Sequence, residues 1–284
     1  MKRIIGLSIC LVLFFSYVLK PIITVAQVSV SAQAASLMNA DTGEFLFTKN
    51  ADEVLPIASL TKIMTAIVAI ESGDLNAQVP ISNEAAIQPP SSLPLQAGDS
   101  LTLEDLLYGL ILESGNDAAW AIAEYIGGNV DNFVKLMNQK AQSLGLVNTK
   151  FSNPSGLSEP SPNYSTAREL AQLMRYAMQN DVFRRIASAK TYETTSKLGI
   201  PYRFDHKNRL VQQVDYVKAG KTGFTRASGR TLISYAEANN IPLIAVTLNA
   251  PDDWVDQLNM FKYGYSRYGI DVPTPEIRSG DSDK

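Results

Sequence analysis

The sequence predicts an α+β fold, with helices and strands segregated along the chain instead of alternating. Three observations carry that prediction. An Asp-Gly turn near the start is flanked by β-prone runs, capped segments of helical period fill the middle, and from Thr191 onward the pattern becomes β until one last helix.

The chain opens on a targeting pattern. Met1-Lys2-Arg3 is basic, residues 4–19 are apolar apart from Gly6, Ser8 and Ser16, and small residues follow at Thr24-Val25-Ala26. This reads as a secretory signal peptide over residues 1–26, cleaved after Ala26. Cleavage at Ala32-Gln33-Ala34 ranks lower because it cuts into the first strand. An uncleaved anchor is the alternative, and membrane contact is expected only in that case; the run is shorter than the roughly 20 residues of a typical span.

Export fits the rest of the composition. Cys10, the only cysteine, lies inside the leader, so the mature chain has no disulfide and no thiolate metal site. The 284-residue chain carries a net charge of −3; loss of Lys2, Arg3 and Lys20 with the leader, which holds no acid, makes it about −6. That balance argues against nucleic acid as a partner. His206 is the single histidine, so a Ser-His-Asp triad exists only if that residue supplies it.

The elements follow in order. Residues 34–40 and 44–48 flank Asp41-Thr42-Gly43 and form a hairpin; Pro56 closes a loop before a helix that stops near Gly73. Residues 76–100, with four prolines, are loop or short strand. Thr102 to Asp105 resembles a capping box and opens a helix that breaks at Ser114-Gly115-Asn116. Helices over 117–126 and 130–144 complete a helical lobe. After an irregular stretch containing Asn153-Pro154-Ser155-Gly156, Thr166 caps a helix to Met178, and residues 181–187 form a short one. Strands are expected over 191–195, 215–225, 231–236 and 243–249, then a helix over 253–268 and a polar tail over 273–284.

The chemistry centres on Ile57-Ala58-Ser59-Leu60-Thr61-Lys62, where a turn meets a strongly apolar helix. Residues three apart share a helix face, which places the Lys62 amine over the Ser59 hydroxyl. A serine hydroxyl is a poor nucleophile until a base takes its proton. A free lysine, with a pKa near about 10.4, is almost wholly protonated at neutral pH. Making it a base at pH 7 requires roughly 4 kcal/mol, within reach of burial and a neighbouring positive charge. Leu60, Ile63, Met64, Ile67 and Val68 supply an apolar setting. Taken alone, the same pair also fits a helix cap and a snorkelling surface lysine.

Two further stretches sharpen the reading. Ser114-Gly115-Asn116 falls in a helix break, and Lys221-Thr222-Gly223 falls on an expected strand. Ser-x-x-Lys, Ser-Asp-Asn and Lys-Thr-Gly together mark penicillin-binding proteins and class A β-lactamases, and here Gly115 replaces the Asp. Residues 56–65, Asn153-Pro154-Ser155-Gly156-Leu157, residues 164–171 and residues 220–225 closely resemble the low-molecular-mass serine D-alanyl-D-alanine carboxypeptidases of peptidase family S11. The resemblance runs from about Ala34 to Tyr268.

That resemblance implies an α/β sandwich of the penicillin-binding protein and β-lactamase type: an antiparallel sheet flanked by helices, a mostly helical lobe from about 75 to 165, and a cleft between them. The first hairpin and the strands after Thr191 form the sheet. The implied substrate is a peptidoglycan stem peptide ending in D-Ala-D-Ala, with β-lactams as covalent inhibitors. Ser59 is the implied nucleophile, Lys62 its base and Ser114 the proton relay, while Asn116, Lys221, Thr222, Gly223 and Phe224 bind substrate, with the oxyanion between the N–H groups of Ser59 and Phe224. No metal or other cofactor is implied. The protein is expected outside the cytoplasmic membrane, on its outer face or in the periplasm.

The chain departs from the family pattern in two places. Residues 27–272 hold the penicillin-binding domain, with no separate C-terminal β domain expected. Where some members place a carboxylate-gripping arginine after the last strand, this chain reads Pro251-Asp252-Asp253-Trp254; Arg226 and Arg230 are the substitutes, and both read as surface charges. A non-catalytic penicillin sensor or wall-binding protein is one alternative. A β-lactamase with Glu159 activating water is the other.

Overall fold

The computed structural model describes residues 28–277. The leader expected over 1–26 and the end of the polar tail, 278–284, lie outside the described residues.

Five strands form the main sheet: β1 (Ala34–Asn39), β2 (Phe45–Lys49), β3 (Val217–Thr225), β4 (Gly229–Ala238) and β5 (Ile241–Leu248). They lie in the order β2-β1-β5-β4-β3, antiparallel throughout, so β3 is an edge. Sequence-adjacent strands pair through tight turns, and the N-terminal hairpin docks on β5 to complete the sheet. Both faces are covered, which explains why β1 and β5 are apolar runs without polar alternation. Ala34 and Met38 of β1 pack into one hydrophobic cluster, and Ala35 and Leu37 into the other.

Helices supply the outer layers. On one face lie α1 (Thr61–Ser72), α5 (Ala167–Met178) and α6 (Asp181–Ala187), and on the other α7 (Asp253–Ser266). Buried Ser36 in β1 donates to the Ala167 carbonyl of α5 at 2.8 Å. Buried Gln257 in α7 donates to the Leu232 and Ala245 carbonyls, fastening that helix to β4 and β5. Between α1 and α5 in sequence come α2 (Leu103–Tyr108), α3 (Asn116–Gly127) and α4 (Val130–Ser143), the helical lobe. Thr102 and Asp105 make the reciprocal bonds of a capping box at the start of α2. Thr166 caps α5 through the Glu169 N–H.

One expectation is corrected. The strand at Thr191–Thr195 does not join the sheet; it pairs with Pro201–Asp205 in a separate two-stranded ribbon. Thr191, Glu193 and Thr195 are exposed, so this strand has a single face to bury. Tyr192 on that face stacks on Tyr108 of α2, ring centroids 3.7 Å apart. The ribbon thus belongs to the helical lobe, and its end delivers Asp205, His206 and Lys207 to the edge of the cleft.

Candidate active site

A cleft of about 760 Å³ opens between β3 and the helical lobe. Ser59, Ser114, Asn116, Thr222, Gly223 and Phe224 line it. Ser59 sits in a short 3₁₀ turn, Ala58–Leu60, that runs directly into α1. Ala58 before it has φ +47°, a left-handed conformation uncommon for a residue with a side chain.

Two glycines make room for that turn. A Cβ on Gly156 would lie 2.0 Å from the Ala58 carbonyl oxygen and 2.9 Å from the Ser59 nitrogen, and Gly156 itself has φ +88°. A Cβ on Gly223 would lie 2.9 Å from the same nitrogen. Glycine therefore lets two backbone segments converge on the Ser59 amide.

Lys62 lies beneath Ser59 and is fully buried. It is therefore not a snorkelling lysine. Its Nζ is 3.1 Å from Ser59 Oγ, 2.8 Å from Asn116 Oδ1 and 2.5 Å from the Ser155 carbonyl oxygen. A neutral amine has two N–H bonds and one lone pair. The charged amine donates to all three oxygens; in the neutral form the two carbonyl-type oxygens, which only accept, take both N–H bonds and leave the lone pair for the Ser59 hydroxyl. Burial first, and the positive charge of Lys207 next, lower the Lys62 amine to about 7; Asp117 pulls the other way.

The Ser155 carbonyl is placed by a network of asparagines. Asn153 Oδ1 accepts from the Ser155 and Gly156 N–H groups. Asn163 Oδ1 accepts from the Ser152 and Asn153 N–H groups, and its Nδ2 donates to Thr61 Oγ1 on α1. Thr65, one turn further along, donates to the Pro154 carbonyl at 2.6 Å. The sequence marked this stretch as a turn, and its backbone contact with Lys62 was not legible there.

Ser114 has φ 64°, at the end of a π-helical turn, Gly109–Glu113. Its hydroxyl lines the cleft and is not bonded to Lys62 or to another described side chain. The Asn116 amide is engaged at both ends, since Nδ2 donates to the Pro89 carbonyl at 2.8 Å. Lys221 is buried below the cleft floor, with Nζ donating to the Thr222 carbonyl at 2.8 Å. Burial, then the charges of Lys62 and Lys207, hold its amine well below the usual lysine range.

Three other groups stand in the cleft wall: Lys207, which the sequence reading did not single out; Arg230, which it named as a substitute carboxylate-gripping arginine but read as a surface charge; and His206, which it weighed only as a triad member. His206 is buried and neutral: Nδ1 accepts from the Asn208 N–H at 3.0 Å, Nε2 faces the Ala187 carbonyl, and burial lowers its pKa to about 3. It makes no bond to Ser59. Lys207 pairs with Glu113 at 3.3 Å. Arg230, facing Phe224 across the β3–β4 ladder, is half-buried and reaches toward Asp253 and Trp254 in the cleft wall. Arg226 is exposed, as is Glu159, which does not line the cleft. Among the described residues no cluster of three His, Cys, Asp or Glu side chains suits a metal ion, and no helix is long and apolar enough to cross a membrane.

Comparison with known proteins agrees with this architecture. The chain is 35% identical over 247 residues to D-alanyl-D-alanine carboxypeptidase DacF of Bacillus subtilis (strain 168), covering 84% of this chain and 63% of that protein. It is 38% identical over 243 residues to DacC of Escherichia coli (strain K12), covering 81% and 59%. The chain thus spans about six tenths of the length of these two relatives. The crystal structure of D-alanyl-D-alanine carboxypeptidase from Mycobacterium tuberculosis H37Rv superposes with a TM-score of 0.80 at 30% identity, over 84% of this chain and 92% of that one. Residues 22–252 match the sequence pattern of the Peptidase_S11 family, D-alanyl-D-alanine carboxypeptidase, and the chain belongs to that family.

Proposed function

We propose that this protein is a serine-type D-alanyl-D-alanine carboxypeptidase that removes the terminal D-alanine from peptidoglycan stem peptides. The observation that carries the proposal is the buried Lys62 amine, held by two acceptors with its remaining valence on Ser59 Oγ. Ser59 attacks the carbonyl of the penultimate D-alanine while Lys62 takes its proton. The oxyanion forms between the N–H groups of Ser59 and Phe224, a contribution often near 3 kcal/mol per donor. Collapse expels D-alanine, whose amine takes a proton through Ser114, and water then hydrolyses the acyl-enzyme ester.

Binding follows from the same walls. As the free edge of the sheet, β3 offers an extended peptide a strand to pair with. The Thr222 hydroxyl and the Arg230 guanidinium face the terminal carboxylate. Beneath them, an incoming anion favours the charged form of Lys221. Asn116 acts through its grip on Lys62. A β-lactam acylates Ser59 by the same attack. The leader pattern supports export to the outer face of the cytoplasmic membrane or the periplasm.

The test is release of D-alanine from diacetyl-Lys-D-Ala-D-Ala. Wild-type protein releases it catalytically and Ser59→Ala does not. Acylation by penicillin without any D-alanine release would establish the sensor reading instead.

A further inference from the structure

Asp117 follows the Ser-Gly-Asn stretch directly, and the mechanism above gives it no task. It is fully buried. Its Oδ2 accepts from the N–H groups of Leu93 and Leu95, at 2.7 and 3.2 Å, and its Oδ1 from the Ala118 N–H at 2.9 Å. All three partners are donors, so the site is built for a carboxylate.

The segment it holds, residues 89–95, runs along the cleft, where Pro90 and Ser91 form part of the wall. Asn116 ties the same segment from the other side: its N–H donates to the Ser91 carbonyl at 2.8 Å and its Nδ2 to the Pro89 carbonyl at 2.8 Å. Leu93 plugs the segment in place. A Cβ on Gly109 would lie 2.2 Å from Leu93 Cδ1, and one on Gly115 would lie 2.6 Å from Leu93 Cγ. The two glycines leave a notch that Leu93 fills, with only 4% of its surface exposed.

We propose that residues 89–95 form a strap, clasped by Asp117 and plugged by Leu93, that holds the Asn116 amide on Lys62 and keeps water from the amine. Asp117 and Leu93 are thus positioning residues, acting through Asn116. The proposal rests on Lys62 as the base for Ser59.

The charged groups that act on Lys62 are Asp117 on α3, Lys221 on β3 and Lys207 after the ribbon; Glu113, at the end of the π-helical turn, pairs with Lys207 and acts on Lys221. Desolvation outweighs these charges in setting the Lys62 amine. Loosening the strap admits water and returns the amine toward an ordinary lysine. A purely electrostatic role for Asp117 has the opposite sign, because losing a nearby negative charge lowers a lysine pKa.

Leu93→Ala separates the two, since it removes the plug without changing any charge. The readout is the second-order rate of acylation by a fluorescent penicillin from pH 5 to 9. In the wild type the rate rises with pH through an acid limb near 7. In Leu93→Ala the limb moves to higher pH by about 0.5 to 1 unit, a loss of roughly 3- to 10-fold on the limb. Leu93→Met, which refills the notch, moves it back.

Should Leu93→Ala fail to fold, amide exchange in the wild type carries the test. The Leu93 and Leu95 N–H groups then exchange as slowly as those inside α3, and rapid exchange overturns the strap. A limb that stays in place in folded Leu93→Ala, whatever the rate, also overturns it while leaving Lys62 as base. A wild type with no acid limb overturns both.

Discussion

Arg230 and Asp253 share a single oxygen: Nε and Nη2 of the arginine both lie 3.0 Å from Asp253 Oδ1. The carboxylate is 3% exposed, and the guanidinium sits over the Trp254 ring, 5.6 Å from its centroid. Burial raises the Asp253 pKa, while Arg230 acts to lower it. The acid therefore orients a guanidinium in the cleft wall, beside the strand that carries Lys221, Thr222 and Gly223.

Arg230→Leu raises KM for a peptide ending in a free carboxylate by roughly 10- to 100-fold, the usual worth of a hydrogen-bonded charge. The same change matters less for the C-terminally amidated peptide. Steady-state kinetics on the two peptides checks this, and an equal effect on both would show that Arg230 does not read the carboxylate.

Lys62 couples stability to pH. Its folded pKa of about 7 lies below the 10.5 of the unfolded chain, so between these values the unfolded state binds the extra proton and stability rises with pH. The burden of the buried amine is complete below pH 7 and fades toward 10.5. Lys62→Met removes it, so the Tm difference, variant minus wild type, is largest near pH 6 and shrinks steadily up to pH 10. Differential scanning fluorimetry across that range reads it, and a flat difference would contradict the lowered amine.

Gly156→Ala places a methyl group where the Ala58 carbonyl and the Ser59 nitrogen already lie, at a backbone φ of +88°. Moving the Ser59 N–H disturbs the oxyanion site proposed there. The expected outcome is a fall in kcat/KM of about 100-fold or more, together with a loss of about 2 kcal/mol or more in stability. Denaturant unfolding and the D-alanine assay check the two parts separately.

Local signals in the sequence account for much of the fold. The capping pairs Thr102–Asp105 and Thr166–Glu169 fix helix starts because their bonds lie within one turn. The Ser59–Lys62 contact was legible for the same reason. Partner choice among strands was not: Thr191–Thr195 has the β composition of a sheet strand, yet only tertiary packing against Tyr108 decides that it pairs in the ribbon. Lys207 was illegible as a cleft residue, and Arg230 was named beside Arg226 as a substitute for the carboxylate-gripping arginine but read as a surface charge, because surface and cleft cations have the same local sequence signature. The Ser155 carbonyl, a backbone group, leaves no residue-type signal at all.

The most direct test of the central claim, a serine nucleophile served by a neutral buried lysine, is the site of penicillin attachment. Protein treated with benzylpenicillin at pH 8 is digested and mapped by mass spectrometry. The account predicts one adduct, on the peptide containing Ser59, absent from Ser59→Ala and formed far more slowly in Lys62→Met. An adduct on another residue, or one that survives in Ser59→Ala, would contradict it.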